Sequence, residues 1–70
     1  MVDSLERRLG AAIKVIRTER RLTQAELAAK AGLDLRYLGS IERGMGNPTV
    51  RVLQKIADAL GVDAASLITS

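Results

Sequence analysis

Residues 22–44 read LTQAELAAKAGLDLRYLGSIERG and contain two short helical patterns separated by one glycine, Gly32. Helical spacing gives each pattern one aliphatic face. The residues on these two faces are Leu27, Ala28, Ala31, Leu38 and Ile41. Ala28 is small enough to let two helices approach closely, and Gly32 can adopt the left-handed conformation of a tight turn. The stretch therefore predicts two helices packed across a turn over about residues 23–43.

The second pattern has an outer face of mixed chemistry. It carries one large apolar side chain, one cation, one bare backbone position and one hydroxyl, which belong to Leu35, Arg36, Gly39 and Ser40. A helix face that meets only water usually carries polar and charged residues throughout. This face is therefore the first candidate for a contact with another molecule.

The composition limits the kinds of function. The chain has 70 residues, which predicts a single domain over 1–70. Its hydrophobic fraction is 47% and Tyr37 is its only aromatic residue, so aliphatic side chains must build the core. Cysteine and histidine are absent, which argues against a disulfide framework, the usual zinc sites and thiol or imidazole catalysis. The net charge of +3 is compatible with an anionic partner.

Other classes of protein also find no support in the sequence. No apolar run approaches the ~18 residues of a membrane span, and no signal-peptide pattern appears. We therefore expect a cytoplasmic protein. The eight acidic residues show no paired-carboxylate arrangement, and no nucleophile has a base available. The sequence thus predicts no enzyme, no cofactor and no metal site.

Capping residues define the first two helices. An amphipathic pattern begins after Ser4, a plausible N-cap, and continues to about residue 20. Thr23, followed three residues later by Glu26, matches a capping box that begins the second helix. Gly32 can take the left-handed conformation that ends it.

Similar signals define three further helices. Asp34 is the next N-cap, for a helix that runs to about Arg43. Thr49 caps a fourth helix that Gly61 ends, and Asp63 can cap a short fifth one. The predicted core face of the fourth helix consists of Val50, Leu53, Ile56, Ala57 and Leu60. Five short helices without a strand pattern predict a compact all-α fold.

The chain resembles the helix-turn-helix domains of phage repressors and Cro, often called the Xre family. The segments that carry the resemblance are LGAAIKVIR, LTQAELAAKAGL, YLGSIERG and NPTVRVLQKIADALGV. The resemblance implies a compact five-helix, lambda-repressor-like DNA-binding domain with the helix-turn-helix at helices 2 and 3. Within the family, the short length and the run LRYLGSIERG are most similar to controller proteins of restriction-modification systems.

This resemblance implies a sequence-specific transcriptional regulator. Such a protein binds double-stranded DNA as a homodimer, on a two-fold symmetric operator, with its third helix in the major groove. A controller protein would also regulate its own restriction-modification operon. Repression and activation both remain open, and activation would require a contact with RNA polymerase.

By family position, the outer face of the third helix reads the bases. The residues concerned are Leu35, Arg36, Gly39 and Ser40. Arg36 can donate two hydrogen bonds to guanine, and Leu35 can contact a thymine methyl. Ser40 can act as donor or acceptor, whereas Gly39 permits a close approach of the backbone. Asp34 is better explained as a cap, because an acidic group beside phosphates is unfavourable.

Contacts with the DNA backbone are expected on both sides of this face. They involve Gln24, Tyr37, Arg43, Asn47 and Arg51. Gln24 opens the second helix, where the helix N-terminus favours an anion. Tyr37 packs its ring on the domain with its hydroxyl near a phosphate. The other dispersed cations are interpreted as mostly solvated: Arg7, Arg8, Arg20, Arg21, Lys30 and Lys55.

The chain departs from the family pattern at two places. Met45 and Gly46 stand where the family often has lysine or arginine, so we expect a weaker salt-dependent part of DNA binding. Arg21 stands where the family usually has glycine. It must either adopt a left-handed conformation or end the first helix differently.

Two charged residues fall on faces that otherwise look inward. Arg17 and Glu42 match an arginine and a glutamate that pair across the domain in the family. The alternative is two separate solvated charges. A buried pair would be structural, because losing one partner leaves an uncompensated charge.

The C-terminal residues suggest a dimer interface. Leu67 and Ile68 could simply close the core, and Leu67 matches a core leucine of the family. Alternatively, Ile68, with Val2 or Leu5, leaves an apolar patch of the kind that marks partner surfaces. We therefore predict a two-fold symmetric dimer through helices four and five, with Leu67 and Ile68 at its interface. Such a dimer spaces its recognition helices ~34 Å apart.

A different class of function keeps the fold without reading DNA. In this alternative the chain is a protein–protein adaptor or an antitoxin. The weakly charged loop around Met45 and the apolar Leu35 on the outer face favour it. An adaptor would bind DNA weakly, without regard to sequence, and lose that binding near physiological salt.

Overall fold

The computed structural model describes residues 4–69, and over that range it contains five helices and no strand. The helices are α1 (Leu5–Glu19), α2 (Gln24–Ala31), α3 (Leu35–Glu42), α4 (Val50–Leu60) and α5 (Ala64–Thr69). The all-α, five-helix prediction is therefore confirmed. None of the helices within residues 4–69 combines the length and the apolar character that crossing a membrane requires.

The predicted caps begin helices α1 to α4. The Ser4 hydroxyl accepts a hydrogen bond from the Arg7 amide at 3.1 Å, and Thr49 caps α4 in the same way. At α2 both bonds of the capping box are present, with the Glu26 amide donating to the Thr23 hydroxyl and the Thr23 amide donating to the Glu26 carboxylate. Hydrogen bonding to the Glu26 carboxylate from the Thr23 amide, and to a smaller extent from the Thr23 hydroxyl, lowers the pKa of Glu26. These caps depend on neighbouring residues only, which explains why sequence reasoning located them.

Two left-handed residues form the turns on either side of α2. Gly32 has φ 68° and ends the helix, as predicted. Arg21 has φ 58°, and among the described residues no other non-glycine has a positive φ. Of the two alternatives left open for Arg21, the left-handed one is therefore realised. It lets the Leu22 amide donate to the Arg17 carbonyl at 3.1 Å and closes the end of α1.

The core is aliphatic and receives side chains from all five helices. Its members include Leu9, Ile13, Leu27, Leu38, Ile41, Leu53, Ile56, Leu60 and Leu67. Val50 was predicted to join it, and this prediction is wrong because the side chain is 81% exposed. Periodicity identifies the face of a helix but not how far the core extends along it. Val50 is the first residue of α4 and lies beyond that limit.

The dimer prediction needs a similar correction. Leu67 is only 1% exposed and packs in the core, so its side chain is not available to a second chain. Its neighbour Ile68 is 43% exposed and remains a candidate for that interface. Leu5 is exposed as well, whereas Val2 lies outside the described residues.

Helices α1 and α3 cross with their backbones in close contact at Gly10. A Cβ at this position would overlap the Ile41 carbonyl oxygen and lie 2.7 Å from that of Glu42. Only glycine allows this approach without moving a helix. Sequence reasoning identified Ala28 as a close-approach position but overlooked Gly10, because nothing local shows which helix crosses there.

Candidate nucleic-acid interface

The outer face of α3 exposes a cation beside an apolar side chain. Arg36 is exposed, and Leu35 is 47% exposed at the first residue of the helix. Asp34 accepts hydrogen bonds from the Arg36 and Tyr37 amides at 2.8 and 3.3 Å, so its carboxylate is engaged in capping. The exposed chemistry at the start of α3 is therefore that of a guanidinium and a branched alkyl group.

Ser40 has a narrower hydrogen-bonding role than its side chain alone suggests. Its hydroxyl donates to the Tyr37 carbonyl at 2.7 Å. With its proton engaged, the hydroxyl oxygen is left to accept a hydrogen bond from an outside donor. Tyr37 itself is half-buried and packs against the core, in agreement with the packing role expected for its ring.

Gly39 lies beneath two polar side chains. A Cβ placed there would be 3.4 Å from Arg43 Nη1 and 3.8 Å from Gln24 Oε1, and no backbone atom outside the helix would be near it. The structure therefore brings Gly39, Gln24 and Arg43 together on the outer side of α3. Gly39 is itself buried, and these two side-chain ends are the groups that an added Cβ would meet beyond the backbone of its own helix.

Beneath this face, a buried hydrogen-bond network joins α1, α2 and α3. Arg17 Nε donates to Glu42 Oε2 at 2.7 Å, and Arg17 Nη2 donates to Glu42 Oε1 at 3.0 Å. Arg17 Nη1 donates to the Leu22 carbonyl at 2.8 Å. The pair expected between Arg17 and Glu42 is thus present, and both side chains are buried.

Gln24 extends this network to the surface. Its side-chain amide nitrogen donates to Glu42 Oε1 at 2.9 Å, so the Glu42 carboxylate fixes the orientation of the amide. The amide oxygen then lies on the Gly39 and Arg43 side. Sequence reasoning assigned Gln24 to phosphate binding and overlooked this bond, since the two residues are 18 positions apart and lie on different helices.

The N-terminus of α2 offers two further donors. Within residues 4–69, the Gln24 and Ala25 amides have no protein acceptor, whereas Thr23 receives the next two amides of the helix. Unpaired amides and the helix dipole together make a helix N-terminus favourable for an anion. Gln24 can therefore present both its backbone amide and its second side-chain N–H at this end of α2.

The segment between α3 and α4 carries little charge. Arg43 ends α3, and Gly44 and Gly46 follow it with φ of 78° and 83°. Met45, Asn47 and Arg51 are all exposed. In the part of the chain that the structure describes, neither Asn47 nor Arg51 forms a hydrogen bond or an ion pair with α3. Within residues 4–69, no group of three or more acidic side chains is arranged to hold a metal ion.

A family model described as helix-turn-helix matches residues 13–67. The chain belongs to this helix-turn-helix family. The match includes all of α2, α3 and α4, the C-terminal part of α1 and most of α5, so it spans the whole network from Arg17 to Glu42. The family and fold expected from the resemblance are therefore confirmed.

The relatives of this chain include a phage repressor and a protein named as a transcriptional regulator. The immunity repressor protein of Bacillus phage phi105 is 45% identical over 60 residues, which are 86% of this chain and 42% of that protein. The uncharacterized HTH-type transcriptional regulator y4dJ of Sinorhizobium fredii is 44% identical over 87% of this chain and 79% of its own length. The chain thus spans less than half of the phage repressor.

The crystal structure of a controller protein matches the fold closely. The restriction-modification controller protein C.AhdI from Aeromonas hydrophila superimposes with a TM-score of 0.87 at 34% identity. The alignment covers 89% of this chain and 94% of that one. None of these three relatives is named as an enzyme.

Proposed function

We propose that this chain is a sequence-specific, DNA-binding transcriptional regulator that acts in the cytoplasm. The observation that carries the proposal is the outer face of α3, where a guanidinium and an apolar side chain, those of Arg36 and Leu35, are exposed. Membership in the helix-turn-helix family supports it, because such proteins lay this helix in the major groove. The regulators among its relatives support the link to transcription.

Each of the four residues on the outer face of α3 has its own role in recognising the bases. Arg36 donates two hydrogen bonds to a guanine, and Leu35 contacts a thymine methyl. Ser40 accepts a hydrogen bond from a base amino group, since its proton is held by the Tyr37 carbonyl. Gly39 lets the DNA approach the backbone of the helix.

Phosphate contacts fix the position of the domain on the duplex. Gln24 offers its backbone amide and a side-chain N–H, and the Ala25 amide lies next to it. Arg43 at the end of α3, Asn47 in the segment that follows and Arg51 in the first turn of α4 add further contacts. These contacts provide affinity and register but do not distinguish sequences.

Selection of binding sites from a random DNA pool at physiological salt tests the proposal. We expect a two-fold symmetric motif with half-sites about one helical turn apart. For Arg36→Ala, discrimination at one base position should fall by about 1–3 kcal/mol. Asn47→Ala is the matched control and should weaken binding to all sequences alike. A pool without any enriched motif at any salt concentration would refute the regulator function.

We further propose that the chain binds as a dimer with Ile68 at the interface. Ile68 and Leu5 are exposed and line one groove together with Leu53 of α4. Sedimentation of the free protein and of its DNA complex tests this. A protein that remains monomeric at micromolar concentration in both states would contradict the dimer.

A finer proposal concerns the genes that are regulated. The similarity to C.AhdI supports an autoregulatory controller of a restriction-modification operon. If so, the DNA upstream of the chain's own coding sequence should contain the selected motif. A motif found only elsewhere in the genome would contradict autoregulation and leave the DNA-binding function intact.

The adaptor alternative rests on a different observation, the exposed apolar side chains Leu35 and Met45 close to the candidate face. A protein partner would cover these side chains, whereas DNA offers few apolar groups. In this alternative the chain itself is an adaptor or an antitoxin. Weak DNA binding that ignores sequence and disappears near physiological salt would favour this alternative.

A further inference from the structure

The first turn of α1 lies directly against the segment that follows α3. A Cβ on Gly44 would be 2.6 Å from Arg7 Cγ and 2.8 Å from Arg7 Cα. Gly44 also has φ 78°, so glycine is required there both by its conformation and by the approach of α1. The backbone and the first side-chain carbons of Arg7 are therefore in contact with this segment.

A second observation places the same turn beside the same segment. Leu5 and Glu6 of α1 line one small groove together with Asn47 and Pro48. The start of α1 therefore borders the segment from Gly44 to Pro48 rather than touching it at a single point.

The Arg7 guanidinium is free of partners among residues 4–69. Arg7 is exposed, and its side chain takes part in none of the hydrogen bonds or ion pairs there. Two other arginines near α1 are occupied, because Arg17 binds Glu42 and Arg20 donates to the Leu60 carbonyl. The segment beside Arg7, residues 44–48, reads GMGNP and has no charge of its own.

We propose that Arg7 binds a DNA phosphate and supplies the positive charge that residues 44–48 lack. This inference rests on the proposed DNA-binding function, in which that segment faces the DNA backbone. Sequence reasoning interpreted Arg7 as solvated, because α1 and the segment are separated by the whole helix-turn-helix. Their contact gives the cation at position 7 a role different from that of the cation at position 8.

The salt dependence of DNA binding measures this contact. Each phosphate neutralised contributes about 0.9 to the slope of log K against log salt concentration. Arg7→Gln should therefore lower the slope by about 0.9 per subunit, or about 1.8 for a symmetric dimer. Arg7→Lys should keep the slope of the wild type, since a lysine also neutralises a phosphate.

Arg8→Gln is the matched control. Arg8 is exposed, adjacent in α1 and equally charged, so the two variants have the same net charge. We expect the Arg8→Gln slope to equal that of the wild type. Equal losses in both variants would show a general charge effect and overturn the inference, as would an Arg7→Gln slope equal to that of the wild type.

Two further measurements keep the outcome unambiguous. Gln retains the Cβ and Cγ that pack on Gly44, so thermal unfolding of Arg7→Gln should match that of the wild type. If its Tm is lower, Arg7→Met replaces it, because the methionine side chain is uncharged and apolar along its whole length, like the stem of arginine. A wild type that enriches no DNA sequence would refute the regulator function and this inference together, whereas a specific wild type with unchanged variants refutes this inference alone.

Discussion

Two glycines within helices, Gly10 in α1 and Gly39 in α3, have opposite surroundings. A glycine inside a helix is roughly 0.5–1 kcal/mol less favourable than alanine. At Gly10 an added Cβ would collide with the carbonyl groups of Ile41 and Glu42, which belong to the backbone and cannot move independently. At Gly39 it would meet only the ends of two polar side chains, the nearer at 3.4 Å.

The difference separates the two sides of α3. On the inner side, Gly10 is explained by the packing of α1 against α3. On the outer side, packing does not require Gly39, because side chain ends can shift. We therefore expect substitutions on the inner side to change stability, and substitutions on the outer side to change DNA binding.

The largest effect is expected from Glu42→Ala on the inner side. It leaves the Arg17 guanidinium buried without its carboxylate, and breaking a buried pair in this way costs about 3–5 kcal/mol. Urea unfolding measures the loss. Arg17→Ala with Glu42→Ala is the control, and this double variant should be more stable than Glu42→Ala alone. A loss below about 1 kcal/mol for Glu42→Ala would resemble that of an exposed pair and contradict the structural role.

Gly10→Ala should have the next largest effect. The added methyl group forces α1 and α3 apart, and overpacking of this kind costs about 1–3 kcal/mol. The gain in helix propensity offsets only part of that loss. The Tm should fall, with the DNA-binding motif unchanged for the protein that remains folded. A Tm equal to that of the wild type would show that the crossing can relax and would remove the contrast with Gly39.

The sequence predicts features that depend on neighbouring residues better than features that depend on residues far apart along the chain. Caps such as Thr23 with Glu26, and the turn at Gly32, depend on neighbouring residues and were located correctly. Periodicity identified most of the core face of α4 and failed at Val50, where the core ends. The role of Gly10 is not predictable from neighbouring residues, because it depends on which helix crosses it.

The candidate site shows the same division. Residue spacing alone predicts the outer face of α3 and its mixed chemistry. The pairing of Arg17 with Glu42 was expected only from the family resemblance, and the bond from Gln24 to Glu42 was not expected at all. Leu67 was assigned to a dimer interface although it also matched a core leucine of the family, and the structure buries it.

Gly39→Ala should have the smallest effect on stability and the opposite sign. Alanine removes the conformational freedom of glycine from the unfolded chain, so we expect a gain of about 0.5–1 kcal/mol. Affinity for the selected DNA site should nevertheless fall by about ten-fold, or about 1.4 kcal/mol, because the methyl group occupies the space in which the DNA approaches the helix. Urea unfolding and a binding titration on the same preparation test both signs.

The opposite signs are what make this variant decisive, because most variants that lose binding through damage to the fold also lose stability. Gly10→Ala is the matched control, since it makes the same substitution inside a helix and should lose stability instead. A more stable Gly39→Ala with unchanged affinity would mean that DNA does not approach this part of α3. Recognition of the bases would then depend on Arg36 and Leu35, in the first turn of the helix. A less stable Gly39→Ala would mean that the side-chain ends of Gln24 and Arg43 cannot shift to accommodate a methyl group. Gly39 would then be a packing residue, like Gly10.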